Sequence, residues 1–174
     1  AGFDAQIDDQ AADTWSWDYT IDNSLVQFLA AGETITMSFT VTIDDDNNGT
    51  ATQVVVVTIT GTNDMPTIEG TATGAVQEDI AVVNGDLVAT GTGTFDDIDL
   101  TDVHTLGAAL TPTTTVVLNG GTPIAAQMAA FVAGFDAQID DQAADTWSWD
   151  YTIDNSLVQF LAAGETITMS FTVT

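Results

Sequence analysis

Residues Ala1–Thr42 recur letter for letter as Ala133–Thr174, at an offset of 132 positions. Chance does not produce an identity of that length, and any fold open to the first copy is open to the second. A natural tandem array accounts for it better than an artificial duplication. Periods of about 20–50 residues mark solenoids. A period of 132 residues is instead the size of a whole domain. The expectation is an array of domains, of which these 174 residues hold about one and a third units. Residue 1 falls inside the recurring pattern, so no signal peptide is expected there.

Within the unit the dominant pattern is alternation with period two. Trp15, Trp17, Tyr19 and Ile21 share one face, with Ser16, Asp18 and Thr20 on the other. Ile35, Met37, Phe39, Val41 and Ile43 alternate with Thr36, Ser38, Thr40 and Thr42. Such stretches read as half-buried antiparallel strands. Val54–Ile59 reads as a further strand, apolar on both faces for much of its length. Turn signals at Asp44–Gly49, Gly61–Pro66, Asn84–Gly85, Asp96–Asp102 and Asn119–Gly121 separate the strands. Many short strands spaced this way point to an all-β sandwich. Only two stretches read as helical. Ser24–Ala31 follows Asp22-Asn23 and stops at Gly32, giving one capped turn or two. Ile124–Val132 is Ala-rich and reads either as a helix or as a strand leading into Phe135.

Composition narrows the function. The chain has 26 acidic residues, no Lys, Arg or Cys, and one His, for a formal charge of −26. Hydrophobic residues make up 45 %, enough for a packed core, and the acidic residues are scattered, so this is no disordered acidic tail. Phosphate recognition rests on Lys and Arg, so nucleic acid is excluded as a partner. Anionic membrane surfaces are disfavoured for the same reason. No apolar run approaches the roughly 20 residues that span a bilayer, so no membrane insertion is expected. A chain so charged repels itself unless cations screen or bind it. Without disulfides, calcium is the candidate staple outside the cell, where weak extracellular modules bind it at about millimolar levels.

Along one period, Gly61-Thr62-Asn63-Asp64-Met65-Pro66 resembles the "TGTND-x-P" junction of VCBS-type repeats. Leu29-Ala30-Ala31-Gly32-Glu33-Thr34, Phe39-Thr40-Val41-Thr42, Asp45–Thr50 and Asp96–Asp102 are similar to that family's "LAAGE", "FTVT", "DGNGGT" and "TDVDAGD" stretches. Asp46-Asn47-Asn48-Gly49 replaces the usual glycine-rich turn, and Leu106–Val132 matches nothing in the pattern. The resemblance implies tandem immunoglobulin- or cadherin-like antiparallel β-sandwich modules of large secreted RTX-type bacterial surface adhesins, with roles in cell adhesion or biofilm formation. With that phase, residues 1–62 are the C-terminal part, strands D–G, of one repeat. Residues 63–174 are the following repeat without its last strand. Strands A and B fall near Thr67–Val76 and Asp86–Phe95, and strand C with the next segment in His104–Val132. Strands D, E and F fall near Phe135–Ile139, Thr146–Ile153 and Glu165–Thr174, with Thr50–Thr60 as the G strand of the preceding unit. Pairing of 63–132 with 133–174 is expected over a permuted pairing with 1–62. The two gaps are expected to be filled by polypeptide outside 1–174, from further repeats or a neighbouring chain.

In such a sandwich the start of strand A, the BC loop and the FG loop share one pole. Asn63 and Asp64 open strand A, Asp97, Asp99 and Asp102 lie in the BC loop, and Asp44, Asp45 and Asp46 in the FG loop. Taken singly each cluster is an ordinary polar turn. Their convergence, with no basic residue to neutralise them, makes a calcium site at Asn63, Asp64, Asp97 and Asp99 the expectation. Asp22, Asn23 or Glu33 of the preceding module's opposite pole are candidates to complete it. Glu78-Asp79, in the AB turn, are a second candidate. No stretch has EF-hand spacing.

Trp15 and Trp17, with their copies Trp147 and Trp149, present either a sugar-stacking platform or core; their face shared with Tyr19 and Ile21 favours core. His104 is a lone histidine, read as a strand residue beside the acidic loop and not as a zinc ligand. No separated acid–base pair or Ser-His-Asp set stands out, so no enzyme is expected. The function that follows is a calcium-dependent structural extender, its identical neighbours joined end to end. The alternative is a glycan- or protein-binding adhesin module in which repetition supplies avidity, with its site in Leu106–Val132.

Overall fold

The computed structural model describes residues 2–106, 117–118 and 125–174. Most of Leu106–Val132, the stretch named for a binding site, therefore lies outside the described residues. The chain is mostly β, in antiparallel sheets, and divides into two compact units. The first is Ala1–Pro66 with Asp97–Asp102, the second Thr67–Asp96 with Val103–Thr174.

In the first unit, β1 (Gly2–Asp9) and β2 (Thr14–Thr20) form a hairpin. Its turn is closed by Asp9, whose Oδ1 accepts the Ala11 and Ala12 N–H groups at 2.8 and 3.3 Å. Asp22 then caps a single 3-10 turn, Asn23–Leu25. The Ser24 N–H and hydroxyl both donate to its Oδ1, at 2.9 and 2.8 Å, and these bonds hold the Asp22 carboxyl below its usual range. The helical stretch expected over Ser24–Ala31 is confined to that turn. Past it the chain turns inward to bury Leu29 and Ala30.

β3 (Thr34–Asp44) and β4 (Thr50–Thr60) then pair without a break, from Thr34 opposite Thr60 to Asp44 opposite Thr50. Alternation decides their faces. Ile35, Met37 and Phe39 point inward opposite Ile59, Val57 and Val55, while Val54 and Val56 are exposed. The two hairpins meet through aromatic rings: Phe3 stacks on Phe39 with centroids 4.3 Å apart, and the Tyr19 hydroxyl donates to Met37 Sδ at 3.5 Å.

The second unit contains β5 (Thr67–Gly70), β6 (Asp86–Asp96), β7 (Val117–Leu118), α1 (Ala125–Ala133), β8 (Phe135–Asp141), β9 (Thr146–Asp154) and β10 (Ile167–Thr168). One antiparallel sheet runs β5-β6-β9-β8; β10 pairs with β7 separately. Thus β8 and β9 repeat β1 and β2 in sequence and in register, and β9 gains β6 on its far edge. Of the two readings for Ile124–Val132 the helical one is observed, as α1. Its alanines favour helix, and Phe131, 1 % exposed, anchors it in a core with Leu87, Phe95, Trp147, Trp149 and Ile153.

The tryptophans explain the glycines of β6. Gly91 and Gly93 stand opposite Trp149 and Trp147 in the ladder. With no Cβ at either glycine, the indoles lie across β6. The Trp147 N–H donates to the Glu69 carbonyl at 2.9 Å and that of Trp149 to Thr71 at 2.8 Å. Burial leaves the Tyr151 phenol neutral, pushing it up to about 12.

Three expected strands are shorter than the alternation indicated. Among the described residues, Thr67–Val76 is strand over Thr67–Gly70 and Glu165–Thr174 over Ile167–Thr168, and His104 lies in no strand. The His104 ring instead packs on Phe95 with centroids 4.8 Å apart, and its backbone exchanges hydrogen bonds with the Gln142 amide.

Candidate metal centre

The acidic loop Asp97–Asp102 belongs to the first unit. Its local shape follows from an Asx-type turn: Asp97 Oδ1 accepts the N–H of Asp99, two residues on, at 3.0 Å. The Asp102 N–H closes the next turn on the Asp99 carbonyl at 3.2 Å. Two further bonds fasten the loop. The Leu100 N–H donates to the Phe28 carbonyl at 3.3 Å, and the Thr101 hydroxyl to Glu33 Oε1 at 2.9 Å.

Glu33 is itself fixed. Its Oε2 accepts the Ala30 N–H at 3.0 Å, and its carbonyl accepts the Gly61 N–H at 2.8 Å. The turn it closes passes through Gly32 at φ 81, a conformation that costs glycine nothing. Glu165 and Gly164 repeat this arrangement in the second copy.

Asp99 is the buried member, 2 % exposed. Its Oδ2 accepts the Asp64 N–H at 2.7 Å, while Oδ1 is buried without a hydrogen-bond partner. A carboxylate oxygen sealed from water with no donor is costly, and the chain has no Lys or Arg to supply one. An oxygen-seeking cation is the partner this chemistry fits, since calcium accepts carboxylates, backbone carbonyls and water together. Asp99 would be the central ligand, with Asp97, Asp64 and the Asn63 amide nearest in the chain to assist. Among the described residues no three His, Cys, Asp or Glu side chains form a group able to hold a metal alone. The orphan oxygen, and not a ready-made carboxylate cage, is what marks this place.

The other expected ligands are distributed differently. Asn63 donates its side-chain amide to the Asp64 carbonyl, and Asp102 is exposed. Asp44, Asp45 and Asp46 do not lie beside Asp64 and Asp99 within the first unit. They sit at the β3–β4 turn, whereas Asn63 and Asp64 follow the opposite end of that hairpin. The hairpin's eleven residues per strand separate the two ends by about 33 Å. Their carboxylates serve the turn: Asp44 Oδ1 accepts the Asp46 N–H at 2.9 Å. Asp45 Oδ1 accepts the Asn47 and Gly49 N–H groups at 2.8 and 2.9 Å, which holds its carboxyl below the usual range. Asp79 is satisfied by amides: its Oδ1 accepts from Asn155 and Gln159 at 2.8 and 3.0 Å, and its N–H donates to Asn155 Oδ1 at 3.0 Å. Neighbouring Glu78 lines an apolar cleft of the second unit.

Sequence patterning names Glu33 as a candidate to complete the site but carries no sign of the Thr101–Glu33 and Leu100–Phe28 bonds. Residues 28 and 100 are too far apart in sequence for local patterns to pair them. No family model matches the chain, and no curated protein matches it.

Proposed function

We propose that the chain belongs to a tandem array of VCBS-type, immunoglobulin-like modules that acts as a calcium-dependent structural extender of a secreted bacterial surface adhesin. The observation that carries this reading is the duplicated sequence together with what it builds. The same residues give the same hairpin, the same Asp-capped 3-10 turn and the same Phe–Phe stack in both units. A spacer gains from the number of such copies and needs no specificity in any one of them.

Calcium enters through Asp99. The orphan oxygen supports a cation that would fasten Asp97–Asp102 to the first unit beside Asp64 and Glu33. Trp147 and Trp149 are spent on the core, which argues against a glycan platform in the second unit, whereas of their copies Trp15 is half-buried and Trp17 is 45 % exposed. The reading is tested by small-angle scattering of a polypeptide of several complete repeats, in calcium and after chelation. Extended, stiff particles that loosen in EDTA are the expected result. Identical scattering curves in both conditions would sink the calcium-stiffened spacer.

A further inference from the structure

We propose that the outer face of the β3–β4 hairpin is a self-association surface, which stacks on the same face of a second, antiparallel copy of this chain. The two strands are paired along their whole length, from Thr34 opposite Thr60 to Asp44 opposite Thr50. Alternation turns Ile35, Met37 and Phe39 inward and leaves Thr34, Thr36, Ser38, Thr40, Thr42 and Asp44 outside. Opposite them stand Thr60, Thr58, Val56, Val54, Thr52 and Thr50, all exposed, with Val54 at 51 % and Val56 at 55 %.

Charge points to this face. Asp44 is the one charged residue in either strand, in a chain with 26 acidic residues and no Lys or Arg. Copies of such a chain repel wherever their acidic surfaces approach, so an uncharged face is where they can meet. A basic partner is drawn to the carboxylates instead.

The face also matches itself. Its middle rows, Ser38–Val56 and Thr40–Val54, hold the valines, and the rows on either side, Thr36–Thr58 and Thr42–Thr52, are pairs of hydroxyls. A two-fold axis across the strands, between the middle rows, lays the rows over one another in reverse order. Valines then cover valines and hydroxyl pairs cover hydroxyl pairs, an isologous contact. Asp44 falls over Thr34 and Thr60 of the second copy, whose hydroxyls can donate to it. The acidic β3–β4 turns end at opposite ends of the stack, about 33 Å apart. A parallel stack would press them together with no cationic side chain between. Charge therefore selects the antiparallel arrangement.

Magnitude sets the strength. Sheets stack about 10 Å apart with strand directions within about 30°. A face of about 33 by 10 Å buries roughly 700 Å² in total, short of the roughly 1,200 Å² of lasting interfaces. One contact is transient, and repetition of the unit strengthens it by avidity. That gain rests on the tandem array proposed above; the contact itself needs neither the array nor calcium.

The chain has no cysteine, so introduced thiols are unique. Chains carrying Thr36→Cys are mixed in EDTA with chains carrying Thr42→Cys and treated with a short bismaleimide. Both positions are exposed. The antiparallel stack sets position 36 of one copy over position 42 of the other. The 36–42 product, identified by mass spectrometry, should therefore exceed several-fold the 36–36 and 42–42 products combined. Its yield should rise as sodium chloride goes from about 0.1 to about 1 M, because salt screens the repulsion between copies and spares an uncharged contact. Val54→Asp with Val56→Asp in both chains should lower the yield several-fold, with circular dichroism verifying that the variant folds. A 36–42 yield no greater than the other two combined is random collision and overturns the proposal. So does a yield that falls with salt or survives the two aspartates. No product at all leaves the face to a different partner and overturns it equally.

Discussion

Asp99 and the glycines of β6 are single positions where the surroundings have left no choice of side chain. At Asp99 the exposed alternatives are gone, Oδ2 is tied to Asp64, and Oδ1 has nothing to bond. An Asp99→Asn variant keeps the size and the acceptor for Asp64 but removes the negative charge. A ligand that binds only the folded state adds about 2.7 kcal/mol at a hundredfold excess over its Kd. In the variant, most of the calcium-induced rise in melting temperature should vanish, while the variant in EDTA should melt no lower than the parent in EDTA, because a buried charge has been removed. Paired melts followed by circular dichroism check this, and an undiminished calcium shift would place the ion elsewhere. At Gly91 and Gly93 a methyl group would strike the Trp149 and Trp147 indoles, and at Gly93 the Glu69 carbonyl as well. Overpacking of this kind costs about 1–3 kcal/mol. Gly93→Ala should therefore lower the urea midpoint more than Gly91→Ala, since a side chain can yield where a backbone carbonyl cannot. Equal and negligible shifts would mean that the indoles re-pack freely.

At the scale of elements, the β3–β4 turn shows what its acidic residues are for. The N–H groups of Asn47 and Gly49 stabilise the ionised Asp45, so its folded pKa lies below the ordinary 3.8. The sign follows: a depressed folded pKa adds stability that is present above the unfolded value and lost as pH falls through the folded one. The Asn47 and Gly49 amide resonances should hold steady from neutral pH down to about pH 4 and then move toward random-coil positions below it. An Asp45→Asn variant should lack that acid transition; NMR titration decides, and an unchanged transition in the variant would assign it to another group. The strands themselves were legible because alternation exposes a face whatever the partner. Ile35-Met37-Phe39 and Trp147-Trp149-Tyr151 needed no knowledge of the sheet order. Lengths were not legible, because a strand extends only as far as a neighbour pairs with it. The nine residues Thr34–Thr42 are strand throughout beside β4, yet their copy Thr166–Thr174 is strand only at Ile167 and Thr168. Pairing of Gly93 with Trp147 was hidden for the same reason: it depends on β6 lying between β5 and β9. Of the candidate site, the acidic loop could be read from residue type, and its partner Asp64 from motif order. That Asp99 alone of the acidic loop is sealed from water goes with bonds such as Leu100 N–H to the Phe28 carbonyl and Thr101 to Glu33, which no local pattern announces.

For the whole molecule the governing quantity is a charge of −26 with no side chain of opposite sign except the one histidine when protonated. Two explanations of cation dependence then compete, and magnitudes separate them. Diffuse self-repulsion is screened by any salt: the Debye length falls from about 10 Å at 0.1 M to about 3 Å at 1 M monovalent salt. If repulsion were the whole effect, sodium chloride at about 1 M would raise the melting temperature as far as millimolar calcium does. A site built on Asp99 behaves otherwise, because its oxygen is buried, poorly screened, and matched to an ion that takes six to eight oxygens. The expected curve in EDTA therefore rises with sodium chloride and levels off. Calcium added at about millimolar concentration on that plateau, where screening has little left to give, should raise it further. Magnesium, which demands a tighter octahedral arrangement and sheds water reluctantly, should do so less. Scanning calorimetry across these conditions distinguishes the cases: a plateau that calcium cannot lift would reduce the acidic surface to a matter of solubility and remove the ion from the fold.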